Sequence, residues 1–298
     1  MSAAGLALLV VGLWAARHDL AQARGLDKIV ALHGVCFALP LAVFGAEHLA
    51  RERLLLNVVP SYLPWRVFWL YFVGVALIAG SLSIATRIQL RWSALLVGIM
   101  MFLFVAMVHL PGAVRFGGRI PWTVVVRESS FGGAGLVLAG AAMLKDGDQW
   151  GPRLITVGRV LIGIAGVVFG VLHFLHPLVL PGVPLVKQMP AWIPARPVID
   201  YVTGAFLMVA GASFLLARQT RLMATWLGAW IVLLVVVIYG PVLVGALADP
   251  RIAVKVEGLS YFADTLLFGG AILSLAHAMA VSATARTVVQ EVGTAPAE

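Results

Sequence analysis

The chain has 298 residues, 61% hydrophobic and 11% charged, and its mean hydropathy of +1.00 excludes an ordinary soluble domain. A net charge of +8 comes from 21 Lys and Arg scattered a few per loop, with no basic stripe or stacking platform. That pattern excludes a nucleic-acid partner and fits topology determinants facing anionic lipid headgroups.

The first apolar stretch, residues 3–16, is shorter than the ~20 residues that cross a ~30 Å hydrocarbon core. It has no Lys or Arg ahead of it, so an interfacial helix or a short ninth span is expected rather than a signal peptide. Residues 1–28 are therefore an apolar helix and a basic linker, with Arg17, Arg24 and Lys28 expected on the cytoplasmic side. Eight runs of spanning length follow, at 29–49, 67–86, 92–109, 122–144, 155–175, 199–216, 222–243 and 261–283. Trp65, Trp69, Trp92, Trp122, Trp192 and Trp226 mark span ends, as an interfacial aromatic belt does. Cys36, the one cysteine, lies in the first run, which excludes an intrachain disulfide, a Cys-x-x-Cys redox pair and a thiolate metal cage.

The two halves align at offsets of 125 to 131 residues. Phe44-Gly45-Ala46-Glu47-His48 corresponds to Phe169-Gly170-Val171-Leu172-His173, and Pro60 to Trp65 corresponds to Pro190 to Ala195. Tyr71 and Gly74 answer to Tyr201 and Gly204, His109-Leu110-Pro111 to Tyr239-Gly240-Pro241, and Glu128 to Glu257. The expected fold is all-α and polytopic, with two parallel four-helix units at 29–145 and 155–283, a linker at 146–154 and a tail at 284–298. Four spans per unit place both copies the same way up, so their signature loops share one face. Lys and Arg divide almost evenly between the faces; basic residues at the tight turns near Arg87–Arg91 and Arg218–Arg221 put those turns in the cytoplasm and the motif-bearing loops outside a cell (inner) membrane.

Ionisable groups inside spans cost at least ~2.5 kcal/mol each on insertion scales, so each needs a partner, water or a task. Glu47 and His48 end the first span on the motif face, His109 ends the third, and Arg127 with Glu128 opens the fourth. These five form a candidate polar cluster, readable either as an Arg127–Glu47 or Arg127–Glu128 ion pair with a histidine hydrogen bond pinning the bundle or as a ligand or proton-handling pocket. The second half keeps His173 and Glu257, replaces the glutamate by Leu172 and the second histidine by Tyr239, and gains Asp264. Asp264 lies two helical turns beyond Glu257 and reads as an unpaired intramembrane carboxylate. Pro60, Pro64 and Trp65, with Pro190, Trp192 and Pro194, read as rigid loop closures, or as lids over the space between the units. No metal-ligand spacing, nucleophile motif or dinucleotide fingerprint is present, and haem is not expected, because His48 and His109 match only by helix position.

The pattern Gly170-x-x-His173-Phe174, Pro190-Ala-Trp192-Ile-Pro194, Tyr201-x-x-Gly204 and Arg218-x-x-Arg221-x-x-Ala224 resembles the DoxX-like integral membrane proteins, and the first half fits the same template. Members of that family look like single four-helix units, so a tandem pair departs from it. The resemblance implies a membrane component of a quinone-linked or sulfur-redox oxidoreductase system, with quinone as the ligand class and a redox enzyme subunit as partner. A small-solute or proton-coupled permease using Asp264 and Glu257, and a non-catalytic scaffold, are the competing readings.

Overall fold

A computed structural model of the chain describes the backbone of residues 2–293, and the side chains within it except those of 2–4, 54, 286 and 288–293. Helices account for the described elements: α1 (Ser2–Gln22), α2 (Asp27–Ala31), α3 (His33–Ala50), α4 (Glu52–Leu55), α5 (Arg66–Thr86), α6 (Leu90–Phe104), α7 (Leu110–Phe116), α8 (Arg119–Lys145), α9 (Gly151–Leu175), α10 (Arg196–Leu215), α11 (Thr220–Leu234), α12 (Gly240–Ala248) and α13 (Ile252–Gly293). A single isolated bridge, Val179 to Gln188, is the only strand-like pairing among the described residues. The tail expected at 284–298 is helical as far as Gly293, and 294–298 lie outside the described residues.

Seven helices are long and apolar enough to cross a membrane: α3, α5, the rod Leu90–Phe116, α9, α10, the rod Thr220–Ala248, and α13 over Ile252–Ala285. This is the architecture of a membrane protein. The expected eighth run, 122–144, is present as the 27-residue helix α8 but falls outside that set. The reason is local. Arg127, Glu128, Ser129 and Ser130 sit within the helix, while every residue from 130 to 141 is buried against protein. A helix surrounded by its neighbours needs no lipid-facing apolar stripe, so it can carry polar groups that a peripheral helix could not.

Packing explains that burial. Neighbours form a closed circuit in which α3 packs on α5, α5 on α6, α6 on α8, α8 on α9, α9 on α10, α10 on α11, α11 on α13 and α13 back on α3. Helices α8 and α13 also pack on each other, so they occupy the middle. The halves thus interleave: the first helix of each half packs on the fourth helix of the other. Helix α1 lies along α3, with Gly5 facing Leu39 and Val43 and Gly12 facing Val35. That antiparallel register, together with the Asp19–Arg87 ion pair at 2.6 Å, lays α1 along a spanning helix rather than across its end.

The same devices recur in both halves. Trp65 and Ala195, Arg87 and Ala217, and Gln89 and Gln219 all adopt left-handed backbone conformations at helix boundaries. Gly45 faces Gly74 and Gly170 faces Gly204 so closely that a Cβ on either Gly45 or Gly170 would stand 2.7 Å from the opposing carbonyl oxygen. Such glycine seams let helix backbones approach where no hydrophobic effect drives association. Each third rod is interrupted by a π-turn, Val105–His109 and Val235–Tyr239. Pro111 and Pro241 lie just beyond these turns. Proline lacks an N–H and crowds the carbonyl four residues earlier, which the wider π-turn accommodates.

Candidate functional site

The first-half motifs surround an apolar cavity of about 520 Å³. Its walls come from α3, α5, α6, the π-turn, α8, α13 and the loop 51–65, with Phe44, Leu70, Phe72, Met101, Phe104 and Leu267 among the apolar lining. The polar groups on the wall include Glu47, His48, His109, Arg127, Glu128 and Asp264, five of them the cluster expected from the sequence and the sixth brought over from the second half.

Arg127 organises one side. Its Nη1 donates to Asp264 Oδ2 at 2.6 Å and its Nη2 to Glu128 Oε1 at 2.8 Å. All three side chains are nearly buried. The expectation of an unpaired Asp264 therefore gives way to an ion pair that ties α8 to α13 across the centre of the protein. Sequence spacing could not reveal this, because the partner lies 137 residues away on a helix of the other half. Glu47, by contrast, is buried and its Oε1 has no hydrogen-bond partner among the described residues. Of the two ion pairs expected for Arg127, with Glu47 or with Glu128, the structure forms the second.

The histidines take distinct states. His48 Nδ1 donates to the carbonyl of Phe44 at 2.8 Å, a bond that fixes the proton on Nδ1 and leaves Nε2 as an acceptor. His109 ends the first π-turn and makes no hydrogen bond to protein among the described residues. Loop 51–65 covers the cavity, contributing Leu55, Val58, Val59, Pro60 and Leu63. It is tethered by Tyr62 Oη to the carbonyl of Met107 at 3.3 Å, Arg66 Nε to that of Val59 at 3.1 Å, and Tyr71 Oη to Glu52 at 2.7 Å. Trp65 does not close over anything; it is 80% exposed beside the loop, as an interfacial anchor would be. Pro64 takes no part in the cavity wall.

The remaining predicted residues gather elsewhere. His173 is fully buried in the second half, with Nδ1 donating to the carbonyl of Phe169 at 2.6 Å. Glu257, two turns before Asp264 on α13, pairs with Lys187 at 2.8 Å. Pro190 and Pro194 bracket Trp192, which is exposed, on the connection 176–195. Asp200 escaped notice in the sequence because it opens a span, yet it is fully buried and accepts a hydrogen bond from the Leu178 backbone N–H. His33 and His277, far apart in sequence, stack at 4.2 Å beneath the opposite face. No cluster of His, Cys, Asp or Glu suited to a metal ion occurs among the described residues.

Fold and site together define a polytopic helical membrane protein with an apolar, one-sidedly polar cavity near one face. Comparison with family models, with curated proteins and with solved structures finds no match to this chain.

Proposed function

We propose that the chain is a tandemly duplicated, DoxX-like protein of the cell (inner) membrane in which α8 is an eighth span, and that its first half binds one apolar small molecule of quinone size. In this reading the motif-bearing loops face outward and the protein is the membrane component of a quinone-linked or sulfur-redox system, docking a redox enzyme subunit. The observation that carries it is the cavity, whose volume of about 520 Å³ lies within the range of small-molecule sites and whose polar groups gather on one side. Glu47 lines that space, and its buried Oε1 has no hydrogen-bond partner among the described residues.

The donor set fits a ring bearing hydroxyl groups, since His48 offers an acceptor nitrogen and Glu47 an unsatisfied carboxyl oxygen. A quinone supplies two-electron, two-proton chemistry when bound. The chain's own residues bind the apolar ring between Phe44, Phe104 and Leu267, exclude water beneath loop 51–65, and place Glu47 and His48 to hold or pass a proton at the head. The small-solute carrier reading loses its free carboxylate, because Arg127 occupies Asp264.

Gentle purification followed by an optical spectrum and mass spectrometry of the organic extract tests this. About one equivalent of an apolar molecule per chain, lost in a Phe104→Trp variant that fills the cavity, is the expected result. An extract with no small molecule besides bulk lipid, from protein that also fails to bind added ubiquinone-1, would refute it.

A further inference from the structure

The second half occupies the corresponding space with its own chain. The connection 176–195 is five residues longer than the connection 51–65, and residues 179–184 are all buried. Leu180 and Val183 are among the least exposed residues of the protein, at 0% and 1%. Gly182 lies against Ile231, the counterpart of Met101, which lines the first-half cavity. The insertion is held by at least six hydrogen bonds, four of them as follows: Asp200 accepts from Leu178 N, Arg119 donates to the carbonyls of Pro184 and Leu185 at 2.8 and 2.9 Å, and Tyr261 Oη accepts from Lys187 N at 2.9 Å.

The other two bonds matter most. His173 Nε2 accepts from the Gly182 N–H at 3.0 Å, and Tyr239 Oη donates to the Pro181 carbonyl at 2.8 Å. These are the two edges of one peptide group, that between Pro181 and Gly182. His173 and Tyr239 are the counterparts of His48 and His109, at the same helix end and the same π-turn. The glycine is required here: Gly182 has φ +109°, and its closeness to Thr265 leaves little room for a Cβ.

We infer that the first-half cavity takes a molecule whose head is a neutral group with a hydrogen-bond donor on one edge, given to His48 Nε2, and an acceptor on the opposite edge, met by His109. A secondary amide on an apolar chain is the simplest such molecule, and the Pro181–Gly182 peptide is its built-in likeness. The inference rests on the reading that the first-half cavity binds an apolar ligand, and in place of the hydroxyl-bearing ring of that reading it gives the ligand a head with a donor on one edge and an acceptor on the other. Four facts support it: His48 holds the same backbone-anchored tautomer as His173, with an unused Nε2; His109 has no hydrogen bond to protein among the described residues; the lining away from the polar side that carries Glu47, Arg127, Glu128 and Asp264 is apolar; and the loop that would fill the space is shorter.

The test uses the full chain in detergent with a diazirine-tagged N-methyl fatty amide as the probe. Irradiation followed by peptide mapping locates the label, and competition is measured with unlabelled N-methyldodecanamide, with N,N-dimethyldodecanamide, which lacks the N–H, and with methyl dodecanoate. Label is expected on the segments carrying Met100 to Met107 and absent from those carrying Ile231 to Ile238. The secondary amide should compete about tenfold better than either analogue, the penalty of a buried acceptor left unpaired. In His48→Phe that ratio should fall to about one; the wild-type ratio stands as evidence even if this variant folds poorly. Labelling in the cavity with equal competition by all three compounds overturns the head assignment while leaving the cavity reading intact. No labelling of the cavity overturns both.

Discussion

Replacing Arg127 by Met should be far more damaging than replacing Asp264 by Leu, although each breaks the same 2.6 Å contact. At an effective dielectric of ~20 the contacts of Arg127 with Asp264 and with Glu128 are each worth about 6 kcal/mol before desolvation, most of which desolvation cancels. Removing Asp264 leaves Arg127 still paired with Glu128 at 2.8 Å, a neutral couple. Removing Arg127 instead leaves Asp264, Glu128 and the unpartnered Glu47 around one apolar cavity with no cation on its wall. The expected loss is ~3–5 kcal/mol for Arg127→Met, the usual cost of stranding a buried charge. For Asp264→Leu it is ~1–2 kcal/mol, because polar contacts inside membranes are worth little more than in water. The double variant should be more stable than Arg127→Met alone, since it removes one stranded carboxylate together with the guanidinium. Reversible unfolding in mixed micelles with increasing SDS measures all three. Equal effects of the two single variants, or strict additivity in the double, would refute the arrangement of charges described above.

Other expectations follow from different parts of the molecule. Gly45→Val should cost ~1–3 kcal/mol, because a Cβ there meets Gly74 O and Ile78 Cγ1 at 2.7 Å; retention of the wild-type melting temperature would contradict the seam. Asp200→Leu should release the segment that fills the second half, exposing 177–190 to a protease under conditions where the wild-type chain resists, with exchange of the Gly182 amide accelerated about tenfold or more. The motif-face turn at Asp249 gives a pH signature outside the membrane-spanning segments. Hydrogen bonds from the Arg251 side chain, then from its backbone N–H, hold the Asp249 carboxyl down to about 2, below its ordinary value. A depressed carboxyl stabilises its folded turn above the unfolded value near ~4 and loses that contribution as pH falls through about 2. Exchange of the Arg251 amide should therefore be pH-corrected and constant from neutrality to about pH 4 and rise below it; a rise already at pH 6 would contradict the pairing.

Much of the architecture is legible because lipid is a strict solvent. The seven apolar helices fall where runs of spanning length lie, since an unsatisfied backbone is intolerable in hydrocarbon and a helix satisfies it within one segment. The paired prolines, glycines and histidines of the two halves could likewise be matched by eye, and the local devices they build, π-turns and glycine seams, sit where those residues are. Helix α8 shows the limit of that reading. Hydropathy measures what faces lipid, and α8 faces other helices, so its status depends on neighbours that no window along the chain contains.

The site follows the same division. That Glu47, His48, His109, Arg127 and Glu128 converge could be anticipated from helix ends at one depth, because span length and handedness fix depth. Which of them pair, and with what, could not. Asp264 reaches Arg127 only because the fourth helices of both halves meet at the centre, an outcome of shape complementarity between surfaces 137 residues apart. The difference between an open first half and a filled second half is likewise invisible in the aligned motifs. It is decided by five additional residues in one connection, whose folding inward fills the second half with apolar side chains and one peptide group held between His173 and Tyr239.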